Sequence, residues 1–106
     1  WRPTLREIVR AFVEGDFSLS RGLSNVRPVS AATARQIQSY VAAYGQTLVA
    51  LPEDTWRTSE SLWMDPFWDV IVDLWTDGGR SDMVLAARVL EVDGGYDFEL
   101  YSVYVP

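Results

Sequence analysis

The stretch 63–76, WMDPFWDVIVDLWT, alternates its side chains in a way that predicts the central β-strand. From position 67 onward the period is two residues, as in a strand with one buried face. One face is wholly apolar: Trp68, Val70, Val72 and Leu74. The other mixes acids with large apolar groups: Phe67, Asp69, Ile71, Asp73 and Trp75. Because burying a residue such as Val72 contributes roughly 1.5–3 kcal/mol, the apolar set is expected to face the core.

Two amphipathic helices are predicted before this strand. Apolar residues recur at helical spacing from Leu5, which predicts a helix over 4–14 that ends at Gly15. Ser30 is a good N-cap for a second helix, AATARQIQSYVAAY, which ends at Gly45. The segment between them, 16–29, predicts a loop with one helical turn.

Two turn signals follow the central strand and predict an antiparallel meander. Asp77-Gly78-Gly79 and Asp93-Gly94-Gly95 are both typical of tight hairpins. The segments 82–92 and 96–105 are therefore expected to be the last two strands.

Shorter elements complete the predicted fold. QTLVAL at 46–51 is expected to form a short strand, and 53–64 a loop with a short edge strand. The sequence predicts a single α+β domain over 1–106, with two N-terminal helices packed on one face of a three- to five-stranded antiparallel sheet. Since the chain begins at Trp1, we also expect that residues preceded it.

The register of the first hairpin is expected to follow from charge. Pairing Trp75 with Asp82 places Asp69 directly opposite Arg88, and opposite charges across two strands are modestly favourable.

The register of the second hairpin is expected to follow from burial. Pairing Val92 with Asp97 places Arg88 opposite Tyr101 and Leu90 opposite Glu99. The same register directs Phe98, Leu100 and Tyr104 into the core. A slip by one residue would bury the carboxylate and expose the apolar residues.

The face of the sheet away from the helices is then expected to hold a partner. Its apolar residues are Ile71, Trp75, Val84, Ala86, Leu90, Tyr101 and Val103, ringed by Asp69, Asp73, Arg88 and Glu99. A large uncovered apolar patch is typical of an interaction site. The predicted partner-binding residues are Asp69, Ile71, Asp73, Trp75, Arg88, Glu99 and Tyr101.

Composition excludes several chemistries. The chain has no cysteine and no histidine, and its nine basic residues are all arginine. Thiol nucleophiles, zinc–thiolate sites, histidine bases and Schiff-base lysines are therefore ruled out. We expect no catalytic residue, cofactor or metal. Asp69 and Asp73 are better read as a solvated face than as a catalytic or metal-binding pair. Trp56, Trp63, Trp68 and Trp75 could line a ligand pocket, although core or interface positions are more usual for tryptophan.

The charge of the chain indicates a basic partner. The net charge is −6 and the isoelectric point is about 4.4, which does not suit a nucleic-acid binder. Residues 1–52 carry six arginines and three acids, and 53–106 carry three arginines and twelve acids. Such an acidic half attracts cationic proteins. No apolar run is long enough to span a membrane, and a cytoplasmic location is expected.

Four segments carry a resemblance to known families: FVEGDF (12–17), YGQTLVALP (44–52), FWDVIVDLWTDGGRSDMVL (67–85) and YSVYVP (101–106). They look like a family of small bacterial domains of unknown function. Small acidic α+β proteins of this kind resemble immunity proteins of bacterial toxin systems. FVEGDF at the end of the first helix also resembles the nuclear transport factor 2-like superfamily, whose enzymes often use a histidine that this chain lacks.

Three functions remain open on the sequence alone. The first is a non-catalytic protein-binding domain, such as an immunity protein that neutralises a basic toxin. The second is a ligand-binding or enzymatic domain with a pocket built from Asp or Glu with Tyr and Trp. The third is a homodimer joined through the open sheet face.

Overall fold

Two helices and a five-stranded antiparallel sheet make up the protein in a computed structural model that describes all residues, 1–106. The elements are α1 (Arg2–Val13), α2 (Ala31–Tyr44), β1 (Leu48–Val49), a 3₁₀ helix (Glu53–Arg57), β2 (Glu60–Trp63), β3 (Phe67–Thr76), β4 (Gly79–Val92) and β5 (Gly95–Tyr104). The strand order is β1-β3-β4-β5, and β2 pairs with β3 beside β1. The predicted α+β class and antiparallel sheet are confirmed.

Both helices end as their sequences predict. The backbone at Gly15, just after α1, has a φ of +86°, and that at Gly45, after α2, has a φ of +82°. Only glycine adopts these left-handed values without strain. At the start of α2, the Ser30 hydroxyl accepts a hydrogen bond from the Thr33 backbone N–H at 3.1 Å. Neither α1 nor α2 has the length and apolar character that crossing a membrane requires.

The Ser30 cap leads to a first prediction. Replacing Ser30 with alanine should lower the free energy of unfolding by about 1 kcal/mol, because the Thr33 N–H loses its acceptor. Urea unfolding monitored by circular dichroism measures this difference. Ser30→Asp keeps an acceptor at the same place and should stay near the parent value. Equal stability of the two variants would show that the cap contributes nothing.

One cluster of 18 buried side chains forms the core, with contributions from both helices and from β1, β3, β4 and β5. The apolar face predicted for β3 lies within it, since Val70, Val72 and Leu74 are buried and Trp68 packs against the cluster. The intervening residues of β3 are only partly buried. The orientation predicted for the central strand is therefore confirmed.

The β3–β4 register matches the prediction over most of its length and departs from it near the turn. Asp69 pairs with Arg88, as predicted, but Trp75 pairs with Arg80 and not with Asp82. A bulge in β4 absorbs the two additional residues, and the Ser81 hydroxyl lies within it. This hydroxyl donates to the Leu74 carbonyl at 2.7 Å and accepts from the Met83 N–H at 3.0 Å. β4 therefore starts at residue 79, earlier than predicted.

The predicted β4–β5 register is wrong by two residues. Arg88 pairs with Glu99 and not with Tyr101, and Val92 pairs with Gly95 and not with Asp97. The reason is the Asp-Gly sequence of the turn, which closes a two-residue hairpin loop. The prediction had placed a longer loop here.

At the end of β5, a second bulge exchanges the residues that face the core with those that face outward. It lies at Tyr101, because Ala87 pairs with Leu100 and the next residue, Ala86, pairs with Ser102. Val103 consequently lies in the core, where the prediction had placed Tyr104. An unbroken alternation would have buried the polar Ser102 in the place of an apolar residue, and the bulge avoids this cost.

The outer edge of β5 is covered. Loop 25–27 exchanges two backbone hydrogen bonds with Phe98, at 2.7 and 2.8 Å. Farther along, the Gln36 amide of α2 donates to the Val103 carbonyl at 2.8 Å and accepts from the Val103 N–H at 3.3 Å. Backbone groups of this edge strand thus find partners within the chain.

Candidate functional site

The outer sheet face is the face of β3, β4 and β5 opposite the core cluster, and a row of charges crosses it. Asp69 of β3, Arg88 of β4 and Glu99 of β5 occupy directly opposed positions on three neighbouring strands. The Arg88 Nε lies 3.8 Å from an Asp69 carboxylate oxygen. The ion pair predicted from the sequence is therefore present. The corrected register places Glu99 on the other side of Arg88.

Arg88 is held between two aromatic rings. Its guanidinium carbon lies 4.3 Å from the centre of the Phe67 ring and 4.2 Å from that of Tyr101. A contact of this kind contributes roughly 0.5–1 kcal/mol at an exposed site and more when water is excluded. The Arg88 Nε is buried and makes no hydrogen bond. We call Phe67, Arg88 and Tyr101 the Arg88 clamp.

Tyr101 of the clamp lies at the bulge of β5. Tyr101 is the extra residue of β5, and its side chain is 47% exposed on the outer sheet face. Sequence reasoning named Arg88 and Tyr101 but missed Phe67 as their third member, although Phe67 was assigned to the correct face.

A shallow concavity of about 250 Å³ lies beside the clamp. Its walls include Asp69, Ile71, Ala86, Arg88, Tyr101, Ser102 and Tyr104. Tyr104 lines it because the bulge turned this residue out of the core. Ile71 therefore belongs to the same region as the clamp, as predicted.

Asp73 and Trp75 lie farther along β3, away from the clamp. Asp73 lies four positions after Asp69, which is about 13 Å along a strand. The Asp73 carboxylate accepts a hydrogen bond from the Thr58 hydroxyl, and its backbone N–H donates to Ser59 Oγ at 3.2 Å. Asp73 is thus bound to the segment before β2. The seven predicted residues therefore form one group of five around the clamp and a separate pair.

The acids near the clamp are partly neutralised. Arg27, in the loop before α2, lies 3.2 Å from Glu99 and 3.6 Å from Asp97. Together with the Asp69–Arg88 pair, these contacts set two arginines against three carboxylates. The outer sheet face is consequently less acidic than a count along residues 53–106 indicates.

The apolar area of the outer sheet face is also smaller than predicted. Val103 is in the core, and Val84 is buried, so neither adds exposed surface. Of the apolar residues assigned to this face, Tyr101 is the large one that stays exposed. The surface is therefore a small aromatic and charged site and not a broad apolar patch.

The four tryptophans that could have lined a ligand pocket, Trp56, Trp63, Trp68 and Trp75, do not form one cluster. Trp63 and Trp68 contact each other with ring centres 5.2 Å apart. Trp56 lies under the guanidinium groups of two α1 residues, at 5.4 and 5.7 Å, and Trp75 lies on β3 opposite Arg80. This separation favours the core and interface positions that are more usual for tryptophan.

A second polar region lies at the end of α1. The pKa of Asp16 is lowered because the Ser20 backbone N–H donates to its carboxylate at 2.9 Å, an effect that its partial desolvation opposes. The neighbouring Glu14 and Arg21 pair at 3.0 Å. These groups satisfy one another and organise the loop after α1. No three carboxylates of the structure come together where they could hold a metal ion.

Comparison with known proteins gives a family. No curated protein and no solved structure matches the chain. A family model described as a domain of unknown function (DUF7668) matches residues 9–106, which hold α2, all five strands and the outer sheet face. The match covers nearly the whole chain. The chain belongs to the DUF7668 family.

Proposed function

We propose that this domain is a non-catalytic protein-binding module that holds a basic protein partner on its outer sheet face. An immunity protein that neutralises a basic bacterial toxin in the cytoplasm is the most concrete form of this function. In this proposal the two helices cover one face of the sheet and leave the opposite face for the partner. The observation that carries it is the Arg88 clamp with Asp69 and Glu99 beside it.

The clamp has the features of an interface anchor. Arginine and tyrosine are enriched among the residues that dominate binding energies. Arg88 is held by Phe67 and Tyr101, so little further side-chain entropy is lost when a partner docks. All three residues lie on paired strands, which position side chains more rigidly than loops do. Tyr101 protrudes and offers its ring to a partner.

Charge supports a basic partner. Asp69 and Glu99 border the clamp on both sides, and each already contacts an arginine of this chain. A cationic side chain of a partner could take the place of Arg27 or add to these pairs. The acidic half of the chain would speed association over a longer range, and salt would weaken this effect.

Neutralising the two flanking acids tests the proposal. The double variant Asp69→Asn and Glu99→Gln keeps the side-chain shapes and removes two negative charges. The immobilised parent protein should retain a basic protein from a lysate of the source cells at low salt and release it at high salt. Affinity of the purified partner for the double variant should fall at least about tenfold, or 1.4 kcal/mol.

A matched control distinguishes the effect of the two flanking acids from the effect of the total charge of the chain. The double variant Glu91→Gln and Asp93→Asn also removes two negative charges, but at the exposed β4–β5 turn. This control variant should bind the partner nearly as well as the parent does. If both double variants bind equally well, the outer sheet face is not the interface. Tyr101→Ala provides a separate test of the clamp, with an expected loss of about 2 kcal/mol in binding free energy.

A further inference from the structure

We propose that two copies of this chain join edge to edge through β2, antiparallel about a two-fold axis at Leu62. This interface is distinct from the outer sheet face and does not depend on the function proposed above. It would also differ from the face-to-face dimer considered from the sequence, because backbone hydrogen bonds would hold it.

β2 is a strand with one unpaired edge. It pairs with β3 on one side, and all four of its residues are exposed. Three consecutive apolar side chains lie at its end: Leu62 is 63% exposed, Trp63 44% and Met64 46%. Proteins usually protect such edges with lysine, proline or a covering segment, as this chain does for β5. β2 contains no proline, and Glu60 is its one charged residue.

The backbone groups that point away from β3 can be identified. The Met64 N–H donates to the Phe67 carbonyl at 2.7 Å, so these two residues face each other through hydrogen bonds. In an antiparallel pair the bonded positions alternate, which makes Leu62 and Glu60 the next residues bonded to β3. Ser61 and Trp63 therefore direct their N–H and C=O groups outward.

These outward groups are self-complementary. When Ser61 of one copy lies opposite Trp63 of the second copy, the two-fold axis places Leu62 opposite Leu62. Each Ser61–Trp63 pair then exchanges two backbone hydrogen bonds. The register maps the segment 60–64 onto itself, so a second copy can pair with the outward N–H and C=O groups of both Ser61 and Trp63.

The same register avoids repulsion between two chains that each carry a net charge of −6. Glu60 faces Met64 of the second copy, and Asp65 faces Ser59. No carboxylate lies directly opposite another, where like charges would destabilise the pair. The apolar side chains lie on both surfaces: Leu62 on the side of Asp69, and Trp63 on the side of Trp68.

Such a dimer would extend the sheet without a break. Two five-stranded sheets joined at β2 form one sheet with both outer faces on the same side. Each copy would then present its own Arg88 clamp on a shared surface. A dimeric or two-sited partner could engage both clamps and gain affinity from the linkage.

A single introduced thiol tests the register. The chain has no cysteine, so Leu62→Cys carries one thiol per copy. Residues opposite each other at a non-hydrogen-bonded position have Cα atoms about 4.5 Å apart, which a disulfide can bridge. Under mild oxidation, Leu62→Cys should form a disulfide dimer at least about tenfold faster than Val13→Cys, whose parent side chain is 44% exposed at the end of α1.

Sedimentation velocity of the unmodified protein completes the test. The parent protein should be dimeric, and Leu62→Lys, which sets two ammonium groups against each other at an exposed position, should raise the dimer dissociation constant at least about tenfold. A parent protein that is monomeric at every concentration overturns the proposal. So does a dimer that Leu62→Lys leaves intact and that the Leu62→Cys variant does not cross-link faster than the Val13→Cys variant.

Discussion

Replacing Phe12 with alanine is expected to lower the free energy of unfolding by about 3–5 kcal/mol. Phe12 belongs to the core cluster and is one of its largest fully buried side chains. Its ring stacks on Phe17, with centres 5.4 Å apart and planes inclined by 23°. Alanine would remove the ring and leave a cavity between α1 and the loop after it. Since small domains are stable by about 5–15 kcal/mol, this loss is a large share of the total.

The neighbouring residue provides the control. Val13 lies on the same turn of α1 but is 44% exposed, so Val13→Ala should change the free energy of unfolding by less than about 0.5 kcal/mol. Both values come from urea titrations at one temperature. Phe12→Leu should recover part of the loss, because it refills most of the volume. If Phe12→Ala and Val13→Ala prove equally stable, Phe12 does not belong to the core cluster.

The second large effect is expected at Ser81, in the bulge of β4. Its buried hydroxyl serves both the Leu74 carbonyl and the Met83 N–H. Ser81→Ala deprives two backbone groups of a partner in a region that excludes water. Because each unsatisfied group costs about 1–3 kcal/mol, we expect a combined loss of about 2–6 kcal/mol in the free energy of unfolding.

Ser102→Ala is the matched comparison for this change. Ser102 also lies in a β-strand beside a bulge, but its hydroxyl makes one contact at 3.4 Å. Loss of the Ser102 hydroxyl should lower the free energy of unfolding by no more than about 0.5 kcal/mol. Thermal unfolding ranks the two variants. Similar melting temperatures would mean that Ser81 does not stabilise the bulge, and that water satisfies the Leu74 carbonyl and Met83 N–H in its absence.

Much of the fold could be predicted because local pattern and burial agree. The alternation of β3 separates apolar from mixed positions without exception, so the choice of buried face follows from Val70, Val72 and Leu74 alone. Ser30, Gly15 and Gly45 mark helix ends by conformations and hydrogen bonds that depend on few neighbours. Secondary structure and strand orientation were therefore accessible.

The registers were harder to predict because two bulges break the alternation and because the β4–β5 turn is two residues shorter than the predicted loop. Near Ser81, two residues are inserted where the sequence shows no glycine or proline to mark them. Near Tyr101, the signal was present: Leu100 and Val103 are apolar at a spacing of three, and strict alternation would bury Ser102. A reading that required apolar residues at every core position would have found this second bulge.

The sequence predicted most residues of the site but not all of the contacts between them. The Asp69–Arg88 pair follows from a register that two strands share over most of their length. Phe67 and Tyr101 each contact Arg88 diagonally, two residues along their strands from Asp69 and Glu99, whereas the predicted register had placed Tyr101 directly opposite Arg88. The attachment of Asp73 to Thr58 depends on how residues 53–64 fold back along β3, which their irregular spacing does not indicate.

The sheet is covered at the edge of β5 but not at the edge of β2, and this difference affects the size of the assemblies that the protein can form. Loop 25–27 and Gln36 occupy the outer edge of β5, and β2 leaves its own edge open. A fibril needs two free edges per subunit, since each added subunit must offer a new one. In this protein, strand addition is hindered at the β5 edge and stays possible on the opposite side of the sheet, where β2 lies. We therefore expect loop 25–27 and the Gln36 side chain to limit strand addition to one side of the sheet, which favours finite assemblies over polymerisation at high concentration.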